Sequence, residues 1–75
     1  MKIQYHYAPL TGELLRTQNG VAEIMANWQQ YHELKATFLE LRHAGELRLV
    51  DTKLCGHTLF HNRSGRVDIY EKEVA

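Results

Sequence analysis

Cys55, His57 and His61 form the closest set of side chains in this chain able to hold a metal ion or activate a nucleophile. One thiolate and two imidazoles are a good donor set for zinc, provided they converge on the ion. On a straight strand all three odd-numbered positions share a face, but His57 and His61 lie about 13 Å apart by strand rise. One ion joins them only if the chain bends at Gly56. A helix would bring the two rings together, yet Gly56, Thr58 and the run Asn62-Arg63-Ser64-Gly65 argue against one. The expectation is therefore no metal and no cofactor, with ordinary surface histidines beside a half-buried thiol.

Nucleophilic catalysis needs a nucleophile, a base and a group that orients the base. Cys55, His57 and either Asp51 or Asp68 supply the residue types, but their spacing does not establish the geometry, and no helix N-terminus stands ready to lower the thiol pKa. Glu23, Glu33 and Glu40 are spread over the polar side of one predicted helix, where carboxylates are simply solvated. The five glycines are dispersed and make no phosphate-binding loop. No catalytic residue is assigned, and no motif in the chain is diagnostic of an activity.

Two surfaces remain. Arg42, Arg48, Lys53, Arg63 and Arg66 outnumber Glu46 and Asp51 in the segment 42–66, with histidines and Phe60 interleaved, which is a pattern a nucleic acid can use. A helix followed by a hairpin with Asn62-Arg63-Ser64-Gly65 at its tip resembles the order of a winged helix, although the other helices of that arrangement are missing. Met25, Trp28 and Leu39 make the second surface. They fall beside the side of the predicted helix that covers the sheet, and large aromatic and apolar residues there suit a protein partner.

These residues must be positioned by a small framework. The 75 residues have room for one domain, residues 1–75, and too little bulk to enclose a deep pocket. Nine basic residues balance nine acidic ones, so no global field steers the chain to nucleic acid or to an anionic membrane. With 44% hydrophobic residues the chain is expected to fold, and it has no apolar run of the length that spans a membrane. The single cysteine excludes an internal disulfide, and Met1–Tyr7 lacks the apolar stretch of a secretory signal; both point to the cytoplasm.

Ile3, Tyr5 and Tyr7 alternate with Gln4 and His6, the period of a half-buried strand, and Pro9-Leu10-Thr11-Gly12 turns the chain into a second strand over Glu13–Thr17. Asn19-Gly20 suits either a hairpin turn or a helix start. The absence of Gly and Pro over Val21–Ala44, followed by Gly45, predicts one helix of about 24 residues, roughly 36 Å long. Ile24, Tyr31, Leu34, Phe38 and Leu41 share one side of it. Val21, Met25, Trp28, Ala36 and Leu39 share the next, and Lys35 and Arg42 lie near the edge of this wide apolar arc.

Short strands are then expected at Leu47–Val50, Thr58–His61 and Arg66–Tyr70, with Asp51-Thr52-Lys53 as a connection and Glu71–Ala75 as a frayed tail. The sum is an α+β fold in which one long helix packs on an antiparallel sheet, in the order ββαβββ. The function expected is that of a non-catalytic protein-binding module, of a size familiar in bacterial and phage accessory proteins. It would form a homodimer through the spare apolar side of its helix. The competing expectation is a small nucleic-acid-binding regulator using the segment 42–66.

Overall fold

The computed structural model describes residues 1–23, 27–54 and 65–74. Strands β1 (Lys2–Ala8), β2 (Glu13–Gln18) and β3 (Val21–Ala22) precede helix α1 (Trp28–His43), and β4 (Arg48–Lys53) and β5 (Val67–Glu73) follow it. The five strands form one antiparallel sheet in the order β3-β2-β1-β5-β4, with α1 packed against it, so the fold is α+β. The expected strand at Thr58–His61, and all but Gly65 of the expected turn at Asn62–Gly65, lie outside the described residues.

The helix is 16 residues long rather than about 24, because its expected first turn belongs to the sheet. Asn19 and Gly20 take positive φ angles of 50° and 85°, the geometry of a two-residue hairpin turn whose twist matches that of the flanking strands. Val21 and Ala22 therefore fold back onto Gln18 and Thr17. Glu23 extends this return, since its amide donates to the Arg16 carbonyl at 2.9 Å and its carboxylate accepts from the Arg16 and Gln18 side chains.

Asn27, not Asn19, caps the helix. Its backbone is extended and its Oδ1 accepts from the Gln30 amide at 2.9 Å, satisfying one of the donors that a helix start leaves open. The far end stops as expected. Gly45 adopts a φ of 75°, its amide donates to the Arg42 carbonyl, and the Glu46 amide reaches back to Leu41 at 3.0 Å, so two of the last carbonyls find partners.

Leu34 and Phe38 press onto Tyr5 and Leu14, with Ile3, Tyr7, Tyr31, Leu41, Leu47 and Tyr70 around them. Phe38 is fully buried, and its ring centroid lies 5.1–5.5 Å from those of Tyr5, Tyr7 and Tyr70, tilted or edge-on as aromatic quadrupoles prefer. The expected inner side of the helix is thus the observed one at Tyr31, Leu34, Phe38 and Leu41, while Ile24 lies outside the described residues. On the opposite face of the sheet, Ala8 and Val67 are buried with Leu15 against them.

The second half of the chain is more strand-like than expected. Asp51, Thr52 and Lys53 continue β4 by pairing with Ile69, Asp68 and Val67, and Val50 is an extra residue that bulges between Leu49 and Asp51. Glu71–Glu73 do not fray, because β1 runs alongside: Glu71, Lys72 and Glu73 pair with Gln4, Ile3 and Lys2. Val74 donates its amide to the Met1 carbonyl at 2.8 Å, and the terminal amine of Met1 donates to the Val74 carbonyl at 2.7 Å.

Candidate functional site

Trp28 is the first residue of α1 and follows the extended backbone of the cap residue Asn27. Its indole is 76% exposed, yet it is held by two neighbours. The Tyr31 ring meets it edge-on at 5.9 Å, and the His32 ring lies 6.2 Å away. Tyr31 is itself anchored, since its hydroxyl donates to the Gly12 carbonyl at 2.7 Å and so ties the helix to the β1–β2 turn. Partial burial, followed by the charge of Glu13 and the neighbouring Tyr7, pushes the Tyr31 hydroxyl above its ordinary pKa, which keeps it a donor.

Farther along the same outward side come His32, Lys35, Ala36 and Leu39, of which Leu39 is 39% exposed. Trp28 and Leu39 are 11 residues apart, about 16 Å of helix, with Lys35 between them, so the spare apolar side is narrower than its sequence suggests. Val21 has left it altogether, standing exposed in β3, and Met25 lies outside the described residues.

Among the described residues, three of the basic side chains of the segment 42–66 have contacts within the chain. Arg42 lies over the rings of Phe38 and Tyr7, with its guanidinium carbon 5.2 and 5.6 Å from their centroids, so it packs against the core it was expected to border. Arg48 reaches the Glu71 carboxylate at 3.2 Å, and Arg66 donates to Asp68 at 2.8 Å. Lys53 is exposed at the end of β4, and Arg63 lies outside the described residues.

Asp68 is buried and also accepts from the Thr52 hydroxyl at 3.2 Å, so its carboxylate fastens β4 to β5. Asp51 accepts from the Thr52 amide at 2.8 Å. Cys55, His57 and His61 lie outside the described residues. Among those that are described, no three His, Cys, Asp or Glu side chains gather where they could hold a metal ion, and no helix is long and apolar enough to cross a membrane.

Two features had no signal in the sequence. Glu71 collects donors from two strands, accepting from Gln4 at 3.1 Å and Arg48 at 3.2 Å, with the Lys2 ammonium at 3.7 Å. The Gln4 hydrogen bond, helped by the charge of Lys2 and by the hydrogen bond and charge of Arg48, holds its carboxyl below the ordinary range against the opposing effect of burial. The groove beside it, about 480 Å³ and lined by Glu46, Arg48, Glu71, Lys72 and Glu73, is filled with ion pairs rather than free charges, because Lys72 meets Glu46 at 3.2 Å and Glu73 faces the terminal amine at 3.7 Å.

The other feature is β4 itself. Every one of its residues is exposed, Leu49, Val50 and the adjoining Leu54 among them, and among the described residues no strand lies beyond it. Comparison of the chain with protein-family models, with curated proteins and with solved structures gives no significant match.

Proposed function

We propose that this chain is a non-catalytic protein-binding module that meets a protein partner through the outward side of α1 and also associates with itself. The observation that carries the reading is Trp28. A large indole left 76% exposed, yet fixed by Tyr31 and His32, is an anchor whose ordering cost has already been met in the free protein. Covering it would contribute about 3–4 kcal/mol at the usual value per unit of apolar area.

A protein partner fits this surface better than a nucleic acid does. Among the described residues, Arg66 is engaged with Asp68 of the same chain and Arg42 lies over aromatic rings, so neither stands free to displace counterions from a phosphate backbone. The test compares the proteins captured from the native host by the wild-type chain and by Trp28→Ala. A partner retained by the first and lost by the second supports the reading. Equal capture by both removes the helix from it, and tight, salt-sensitive retention of DNA or RNA replaces it with the nucleic-acid alternative.

A further inference from the structure

The pairing of β4 shows which of its backbone groups no other described strand takes. The Val74 amide bonds to Met1, so alternate residues of β5 on that side, including Lys72, Tyr70 and Asp68, direct their backbone groups to β1. Val67, Ile69 and Glu71 direct theirs to β4, where the register sets them opposite Lys53, Asp51 and Arg48. Leu49 and Thr52, and Leu47 by the same alternation, therefore turn their amides and carbonyls outward. Thr52 shows this directly, for its amide is taken by the Asp51 side chain instead of by β5.

The bulge at Val50 sets the side chains. Arg48 and Asp51 are three residues apart and in a regular strand would point to opposite faces. Here they stand opposite Glu71 and Ile69, which share a face, so Arg48 and Asp51 share it too. Lys53, opposite Val67, joins them, while Leu49 and Thr52 lie on the α1 face with Tyr70 and Asp68.

We propose that β4 pairs with β4 of a second copy of this chain, antiparallel about a two-fold axis between Leu49 and Val50, with Arg48 opposite the partner's Asp51. This deepens the self-association in the function proposed above by giving it a surface. The arrangement places outward-bonding Leu47 against outward-bonding Thr52 and keeps Arg48 and Asp51 on one face. It sets Leu49 beside Val50 and meets Arg48 and Asp51 of each copy with their opposites.

A slip that brings Arg48 to the partner's Lys53 opposes two cations. A register centred on Thr52 joins Asp51 to Lys53 but leaves Arg48 without a counter-charge. Charges and a bulge are also how edge strands repel unwanted pairing, and here they reject strands that lack the complementary pattern. On pairing, Asp51 releases the Thr52 amide to the partner's Leu47 carbonyl and turns to the partner's Arg48.

The experiment is light scattering coupled to size exclusion across the micromolar range, with circular dichroism to show that each variant is folded. The wild-type chain is expected at about twice its 8.8 kDa mass. Asp51→Arg and Arg48→Asp each set like charges opposite one another and should weaken the dimer about tenfold or more. Mixed in equal amounts, the two variants place Arg against Asp at both sites and should dimerise again. That recovery also shows that neither had merely misfolded.

A monomeric wild-type chain overturns the proposal, as does a mixture that stays monomeric. A dimer that survives Arg48→Asp alone also overturns it, in favour of another register or surface. Trp28→Ala should leave the mass unchanged, so loss of partner capture by that variant and loss of the dimer by the β4 variants are separate results.

Discussion

β5 has a strand on each side: β1 pairs with it over six residues without a break, and β4 over five with a bulge at Val50. In β1, Tyr5 is 2% exposed and lies beneath Phe38; in β4 every residue faces solvent. Hydrogen bonding alone therefore does not decide where the stability of this sheet resides. The difference comes from α1, whose four inward residues Tyr31, Leu34, Phe38 and Leu41 press on the β1 side, while β4 is secured by polar ties from Thr52 to Asp68 and from Arg48 to Glu71. One side of β5 serves as the core, and the other meets a strand whose residues are exposed.

The comparison breaks first, and most severely, at Phe38. Phe38→Ala removes the ring that Tyr5, Tyr7 and Tyr70 surround and should destabilise the fold by about 3–5 kcal/mol. That is a large share of what a domain of this size has, so a urea melt should show the variant marginally folded or unfolded. If Phe38→Ala melts like the wild-type chain, the helix is not what holds β1.

A smaller loss, about 1 kcal/mol, is expected from Asn27→Ala, which leaves the Gln30 amide without its cap. The same melt reads it, and helix content by circular dichroism should fall at the start of α1. Tyr31→Phe tests the tie between helix and turn, and losing the bond to the Gly12 carbonyl should also cost about 1 kcal/mol. Because Tyr31 supports the Trp28 ring through its own ring, which Phe preserves, partner capture should change little.

Acid sharpens the contrast from the β4 side. The Glu71 carboxyl is held below its ordinary pKa, so folding favours its ionised form. The stabilisation is present above the unfolded-state pKa and is lost as pH falls through the lower folded-state value. In denaturation midpoints measured from neutral pH down to about 3, Glu71→Gln should flatten the acid slope relative to wild type. An unchanged slope would show that Gln4, Lys2 and Arg48 do not act on this carboxylate in solution.

The smallest effect belongs to β4 itself, where Val50→Ala should shift stability by only about 0.5 kcal/mol. A larger loss, measured at a concentration that keeps the chain monomeric, would mean that β4 contributes to the core.

The β1–β2 hairpin was legible in local features: the alternation of Ile3, Tyr5 and Tyr7, and the turn that Pro9 to Gly12 makes, with Gly12 at a φ of 79°. So was the inner side of α1 from Tyr31 to Leu41, and so was its end at Gly45. The start of α1 was not. Val21 and Ala22 have no local preference strong enough to choose between helix and strand, and it was the pairing of Gln18 and Thr17 across the Asn19-Gly20 turn that chose. Of the expected interface, Trp28 and Leu39 are exposed as a partner surface requires, but the loss of Val21 to the sheet narrows the stripe around them.

What the sequence determined by itself was therefore whatever depends on neighbours a few residues away: the turns, the helix period, the helix stop and the α+β class that their order implies. The tertiary structure decided everything that depends on partners far along the chain. Asp51-Thr52-Lys53 became strand because β5 offers backbone groups to them, and Glu71-Lys72-Glu73 stayed ordered because β1 does. Arg48 and Asp51 came to share a face only through a bulge at Val50. A sheet forms its hydrogen bonds between distant segments, whereas a helix forms them within itself, so the helix pattern can be read along the chain and the sheet edge and its charge pattern cannot.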